Sequence, residues 1–376
     1  MSVWDDLVGQ EAAVATLRQA VGGGSAMTHA WLVVGPPGSG RSNAARAFAA
    51  ALQCPEDGCG VCQTCRTVLS GAHPDVTVVR TEQLSIGVDE VRQLVRRAAM
   101  SPTLGPWQVL VVEDADRVTE RGADALLKAV EEPASRTVWL LCAPTADDVV
   151  VTIRSRCRQL NLVTPSDAAV ARLLRERDGV EPERAAFTAR IAQGHIGRAR
   201  ALARDPAAMA RRRAVLEVPQ TLASLGDCLT AAERIVKTAE SDAVAATAEL
   251  DAREREELTQ TVAASGARGL RTRHAATALK ELGEQQQMRL KRCQRDGLDA
   301  ALTELTGYYR DVLVRQTASA VPLLNSDFEA AVGEAAARTT AEATVRRLDA
   351  ILEARQALEG NVPPLLAMEA LFVALL

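Results

Sequence analysis

The sequence predicts an α/β amino-terminal half built on a parallel sheet, followed by an all-α remainder. Three observations predict it. Four short apolar runs, Trp31-Leu32-Val33-Val34, Val76-Thr77-Val78-Val79, Val109-Leu110-Val111-Val112 and Val138-Trp139-Leu140-Leu141, are continuous rather than alternating. Continuous runs suit strands buried on both faces, the signature of a parallel sheet covered by helices. The segments between them carry helical spacing, as at Ala123, Leu126, Leu127 and Val130, stopped by Pro133. Only 3% of the 376 residues are aromatic, so the core is made of Ala, Leu and Val, which favours helices over a large antiparallel sheet.

The length allows two or three domains. Around Thr164-Pro165-Ser166-Asp167 the pattern changes, and a threonine cap with proline at the first helical position predicts a helix start. The organisation expected is an α/β domain over 1–165, a small helical lid over 166–208 punctuated by Gly179 and Gly194, and a helical domain over 209–376. In the last of these, Leu222, Leu225, Leu229 and Ala232 keep helical spacing, as do Leu298, Leu302, Leu305, Tyr309 and Val312. Asn361 and the pair Pro363-Pro364 open a final apolar helix. The stretch 263–274, with two glycines and three arginines, reads as a mobile connection.

The formal charge of -4 and a pI near 5.8 argue against a chain that grips nucleic acid alone through a broad basic surface. No apolar run approaches the roughly 18 residues of a membrane-spanning helix. Asp5 and Asp6 stand where a secretory signal would be basic, so a cytoplasmic location is expected.

Cys54, Cys59, Cys62 and Cys65 form C-x4-C-x2-C-x2-C between the first strand's helix and the second strand. Four thiolates so close can enclose one Zn2+ tetrahedrally, a structural site with no open position for chemistry. His73 lies eight residues on and reads as a loop residue, and Cys142, Cys157, Cys228 and Cys293 read as buried small apolar groups.

The first strand runs into Gly35-Pro36-Pro37-Gly38-Ser39-Gly40-Arg41-Ser42. A phosphate-cradling loop, G-x-x-x-x-G-K-[ST], belongs between a strand and a helix, because its glycines turn backbone N–H groups inward around phosphate oxygens. Seven of the eight positions fit, and the lysine is Arg41. Guanidinium is planar and bulkier than an ammonium, so the exchange is not conservative. Two readings of the loop stand: a site for ATP and Mg2+, or a phosphate loop kept as scaffold. The third strand ends in Glu113-Asp114, where an acid holds magnesium in nucleotide-hydrolysing relatives of such loops. Here the usual Asp-Glu order is reversed, which misplaces each carboxylate by one methylene.

In this order the features resemble the AAA+ clamp-loader family of bacterial DNA polymerase III and its archaeal and eukaryotic relatives. The resemblance covers the first two hundred residues. It includes Trp4-Asp5-Asp6-Leu7-Val8-Gly9-Gln10, similar to the family's opening adenine-pocket box, and His29-Ala30-Trp31-Leu32 leading into the loop. It includes the inserted cysteine module and Ala125-Leu126-Leu127-Lys128-Ala129-Val130-Glu131-Glu132-Pro133, similar to the family's L-L-K-x-x-E-E-P helix. Ser155-Arg156-Cys157 resembles the family's S-R-C motif, whose arginine stabilises charge on a neighbouring subunit's ATP. The resemblance implies that role for Arg156, with a surface ion pair as the plain alternative.

An active motor of the family keeps the lysine, the Asp-Glu pair, a threonine after the fourth strand and an arginine in the lid. Here those positions hold Arg41, the reversed pair, Pro144 beside Thr145, and Gly197 beside Arg198 in Gly194-His195-Ile196-Gly197-Arg198. Such departures, with the S-R-C arginine intact, match the family's rigid stator. The partners so implied are gamma/tau and delta subunits in a five-subunit ring, the sliding clamp, and primed DNA reached through the assembly. The carboxy-terminal domain would join the ring's helical collar. Arg117 and Arg121 would face DNA in that ring, or form a solvated helix face. Two rival readings are an active gamma/tau-type ATPase and a stand-alone zinc-containing DNA-binding module.

Overall fold

A computed structural model describes residues 2–23, 26–81, 85–264 and 270–376, with side chains at 261–276 excepted. The connection expected at 263–274 lies outside the described residues, at 265–269 in its backbone and throughout in its side chains. The chain divides into two compact units, Met1–Arg204 and Asp205–Leu376.

The first unit opens with a 3-10 turn, Val3–Asp6, whose cap Ser2 accepts from the Trp4 N–H. It continues through α1 (Glu11–Val21), β1 (Ala30–Val34), α2 (Arg41–Gln53), α3 (Gln63–Leu69) and β2 (Val76–Val79). Next come α4 (Val88–Ala98), β3 (Gln108–Val112), α5 (Glu120–Glu131), β4 (Thr137–Ala143), α6 (Val151–Arg154) and β5 (Arg158–Asn161). The five strands form one sheet in the order β2-β3-β4-β1-β5, and every pair is parallel.

Because side chains alternate along a strand, each central strand feeds two cores. Trp31, Val33, Val109, Val111, Val138 and Leu140 face α1 and α2. Leu32, Val34, Leu110, Val112, Trp139 and Leu141 face α4 and α5. The alanine-rich α2 buries Ala44, Ala45, Ala47, Phe48 and Ala49, and small side chains there let the helix lie close on the sheet. Phe48 meets Trp31 edge to face at 5.2 Å between ring centroids.

Strand β5 carried no sequence signal. Its only buried residue is Leu160, and Arg158, Gln159 and Asn161 stay exposed at the sheet edge. An edge strand needs only one apolar face, so its apolar count falls below what periodicity detects. Arg158 lays its guanidinium 4.9 Å over the Trp31 ring.

Three helices complete the unit: α7 (Asp167–Glu176), α8 (Pro182–Ala192) and α9 (Ile196–Arg204). The cap of α7 is Ser166, whose hydroxyl accepts from the Ala169 N–H, and not Thr164 as the sequence suggested. Proline at 165 precedes the cap, so the start falls two residues later.

The second unit is all helical: α10 (Pro206–Thr221), α11 (Leu225–Ala264), α12 (Leu270–Gln316), α13 (Glu329–Arg338), α14 (Ala341–Glu359) and α15 (Pro364–Leu375). On α12, Leu298, Leu302, Leu305, Tyr309 and Val312 are all buried, as their spacing predicts. On α11 the expected stripe is displaced. Leu225 and Leu229 are exposed, and the buried face is Cys228, Ala231, Ala232, Ile235 and Ala239. The Cys228 thiol donates to the Phe372 carbonyl of α15, and close helix approach selects the small residues over the leucines. Among the described residues no helix is long and apolar enough to cross a membrane.

Candidate functional site

Strand β1, buried along its whole length, delivers the glycine loop to the start of α2. Gly38 and Gly40 take φ of +83° and +93°, the left-handed conformation that the loop requires and that L side chains rarely adopt. Gly40 caps α2, and its carbonyl accepts from the Ala44 N–H at 2.8 Å. The Gly35 N–H donates to the Pro144 carbonyl at 3.2 Å, joining the loop to the end of β4. Gln10, the last residue of the opening box, donates its amide to the carbonyls of Ser39 and Val163 and accepts from the Val163 N–H. A single buried side chain thus ties the loop to the exit of β5.

The charges in this pocket are engaged by the chain itself. Arg41 turns back and donates Nη1 to the Gly35 carbonyl at 2.6 Å. Arg46, on the same helix, donates Nε to Glu113 Oε1 at 2.8 Å, with Nη2 2.8 Å from the same oxygen. Glu113 is buried at the end of β3, so this guanidinium neutralises the acid where the sequence left a metal role open. Asp114 follows at the mouth of the 3-10 turn Ala115–Arg117 and is half-buried.

The third helical element closes on the loop. A Cβ at Gly38 would lie 2.4 Å from His195 Cγ, so only glycine admits His195 there. His195 Nδ1 accepts from the Arg198 N–H at 3.2 Å and serves as the first-turn acceptor of α9. Burial, together with the Arg198 charge, lowers its pKa and keeps the imidazole neutral. Over α2 lies a cleft of ≈ 290 Å³, walled by Val3, Ala47, Leu173 and Ile196 and lined also by Asp6, Asn43, Arg46 and Arg200.

Arg156 sits elsewhere on the same sheet, at the turn between α6 and β5. It is exposed, with 39% of its side chain accessible. Nη1 donates to the Thr152 carbonyl at 2.8 Å and to Ser155 Oγ at 3.1 Å, and Nη2 pairs with Glu131 Oε1 at 2.5 Å. The neighbouring Arg154 pairs with Asp147. Val150 and Val151 are exposed beside it. Cys157 is half-buried, and burial raises its thiol to about 12, which favours the protonated form.

The cysteine module occupies the connection from α2 to α3. Cys54 Sγ lies 3.8 Å from the sulfurs of both Cys59 and Cys62, and the four ligand atoms all fall within 4.8 Å of one another. A zinc–sulfur bond of about 2.3 Å places the sulfurs of a tetrahedron about 3.8 Å apart, so the residues fit a structural zinc ion. Backbone N–H groups support the sulfurs: Glu56 to Cys54, Cys62 to Cys59, Cys65 to Cys62 and Gly60 to Cys65, at 3.3 to 3.4 Å. Burial opposes the Cys54 thiolate, yet N–H groups of Cys59, Glu56 and Gly58 hold its pKa down at about 7. Such a closed centre fixes a loop and leaves no position for substrate. His73 stands apart from it, buried, with Nδ1 accepting from the Asp75 N–H. Of the other cysteines, Cys142 and Cys228 are buried and Cys293 is half-buried.

Two features of the site had no sequence signal. The Arg46–Glu113 and Arg156–Glu131 pairs join residues far apart in the chain, and neither residue of the first pair stands in a motif with the other.

Residues 9–166 match the family described as DNA polymerase III, delta subunit. The gamma/tau subunit of DNA polymerase III from Mycobacterium tuberculosis is 34% identical over 198 residues, 50% of this chain and 34% of that protein. The delta' subunit from Pseudomonas aeruginosa is 37% identical over 155 residues, 40% of this chain and 47% of that protein. The chain therefore spans between a third and a half of the length of these relatives. A gamma subunit-related protein from Thermotoga maritima superposes with a TM-score of 0.37 at 14% identity, covering 77% of this chain and 99% of that one. Residues 9–166, which carry the parallel sheet, the glycine loop and the cysteine module, are thus similar to the gamma/tau and delta' subunits of bacterial DNA polymerase III.

Proposed function

We propose that this chain is the delta-prime, or stator, subunit of the DNA polymerase III clamp loader. In this reading it helps load the sliding clamp onto primed DNA and supplies Arg156 in trans to a neighbouring ATPase subunit. One contrast carries the reading. The chain's own nucleotide pocket is satisfied from within, by Arg41 on Gly35 and Arg46 on buried Glu113, while Arg156 lies outside that pocket, exposed after α6 near apolar Val150 and Val151 and held by Thr152, Ser155 and the half-exposed Glu131. A guanidinium at a partner's γ-phosphate contributes about 10³–10⁵ in rate. The chain's own ATPase is weak or absent.

The partners in this reading are gamma/tau and delta subunits in a hetero-pentamer, in the cytoplasm. Residues 1–165 act as the AAA+ core, 166–208 as the lid and 209–376 as the collar through which the ring assembles. The cysteine module carries Zn2+ as a structural ion. The residues Gly35, Gly38, Gly40, Arg41 and Ser42 keep a phosphate-loop backbone without its lysine, and Glu113 and Asp114 no longer serve a metal.

The test is the Arg156→Ala chain in a loader reconstituted with its partner subunits. DNA-stimulated ATP hydrolysis falls at the site this chain serves while the circular dichroism spectrum stays unchanged. Hydrolysis at the wild-type rate would refute the trans role. A second reading, an active gamma/tau-type ATPase, draws on the left-handed glycines of the loop. Brisk ATP turnover by the isolated chain, lost in Arg41→Ala, would establish it instead.

A further inference from the structure

Arg156 is held by two kinds of contact, and they differ in what their loss requires. Nη1 is fixed locally, by the Thr152 carbonyl one helical turn back and the adjacent Ser155 hydroxyl, which itself donates to Thr152. These partners lie within four positions and travel with the arginine. Nη2 instead pairs with Glu131, twenty-five positions earlier in the chain, at the last residue of α5.

We infer that Glu131 is a positioning residue that latches the Nη2 end of Arg156 in the free chain and must release it before the guanidinium reaches a neighbour's phosphate. The inference rests on the trans role proposed above. Three observations support it. A carboxylate in the last turn of a helix faces the negative end of the backbone dipole, so Glu131 gains from a cation and takes the one nearest. The end of α5 is itself fixed, because His29 Nε2 hydrogen-bonds the Val130 carbonyl at 2.8 Å and Pro133 blocks continuation. The backbone that carries the carboxylate is therefore held in place. Finally, both partners are about two-fifths exposed, at 39% and 38%, so water and an incoming anion reach the pair from the same side. An exposed pair of this kind shifts an equilibrium by only about two- to five-fold, weak enough for a triphosphate to displace the carboxylate.

The reaction itself is unchanged: one carboxylate partner of Nη2 is exchanged for a phosphate oxygen, and no proton moves. Glu131 touches no reacting atom. Its side chain sets how much of the Arg156 population points outward.

The experiment compares four reconstituted loaders carrying the wild-type chain, Glu131→Gln, Arg156→Ala and the double variant, with DNA-stimulated ATP hydrolysis followed across ATP concentration. Glu131→Gln raises kcat by about two- to five-fold with KM for ATP unchanged, because the glutamine amide no longer holds a full charge against the guanidinium. In the Arg156→Ala background the same change has no effect. If Arg156→Ala leaves hydrolysis at the wild-type rate, the trans role fails and the latch with it. If Arg156→Ala lowers hydrolysis but Glu131→Gln leaves kcat unchanged, lowers it, or acts equally in both backgrounds, the trans role survives and the latch is overturned. Thermal melting of each chain, matching the wild type, shows that the rates compare folded proteins.

Discussion

Replacing Arg46 with alanine removes the cation paired with Glu113, a carboxylate whose side chain is 6% exposed at the end of β3. Arg46 contributes two donors, Nε and Nη2, each 2.8 Å from the same oxygen. Breaking a buried pair from one side costs about 3–5 kcal/mol, because the remaining charge is left desolvated and unpaired. Arg46 itself is 36% exposed, so water already screens its side of the pair, and the expected loss falls to about 1–3 kcal/mol. All four tryptophans, Trp4, Trp31, Trp107 and Trp139, lie in Met1–Arg204, so their emission during urea unfolding of the full chain reports on this unit alone. The midpoint in a thermal experiment should drop by about 3–10 °C. Adding Glu113→Gln removes the orphaned charge and recovers most of the loss, a coupling the double-mutant cycle measures directly. An Arg46→Ala chain within about 0.5 kcal/mol of wild type, or strictly additive effects of the two substitutions, would refute the argument that the chain neutralises its own acidic position.

Two further outcomes follow from the same geometry. Purified chain carries one zinc ion, and stripping it with a chelator speeds amide exchange at Val3. The reason is that the Gly58 carbonyl accepts from the Val3 N–H and the Asp57 carbonyl from Trp4 Nε1, both in the loop between Cys54 and Cys59. Exchange at Val3 indifferent to the metal would sink the link between the module and the opening turn. Burial opposes ionisation of Asp75, yet N–H groups of Gly105, Thr103 and Leu104, at 2.6 to 2.7 Å, hold its carboxyl below the ordinary range. A depressed folded pKa gives stability that is full above the unfolded value near pH 4 and is lost as pH falls through the folded one. Asp75→Asn should therefore cost about 1–3 kcal/mol at neutral pH and flatten the acid side of a urea-stability profile taken from pH 3 to 7, and an unchanged profile would contradict it.

Much of this protein was legible locally. Three of the four apolar runs became β1, β3 and β4 because a strand buried on both faces has few polar positions to disguise it, and the fourth became the half-buried edge strand β2. The glycine loop between β1 and α2 was readable because left-handed backbone admits few residues besides glycine. The cysteines converge because C-x2-C spacing brings two sulfurs together within one turn of chain, whatever the rest of the fold does. The leucine spacing on α12 also marked its buried face directly.

Tertiary structure decided what depended on distant partners. Edge strand β5 exists only because β1 offers it a hydrogen-bonding edge, and its polar residues gave no pattern to read. Leu225 and Leu229 have helical spacing as good as that of their neighbours, yet the approach of α15 buried Cys228 and the alanines instead. Nothing near Arg46 in sequence points to Glu113, and nothing near Arg156 points to Glu131 as its partner. Spacing along the chain fixes which residue types share a face, because backbone geometry repeats. Which charge meets which is set by how elements pack, and that carries no period in the sequence.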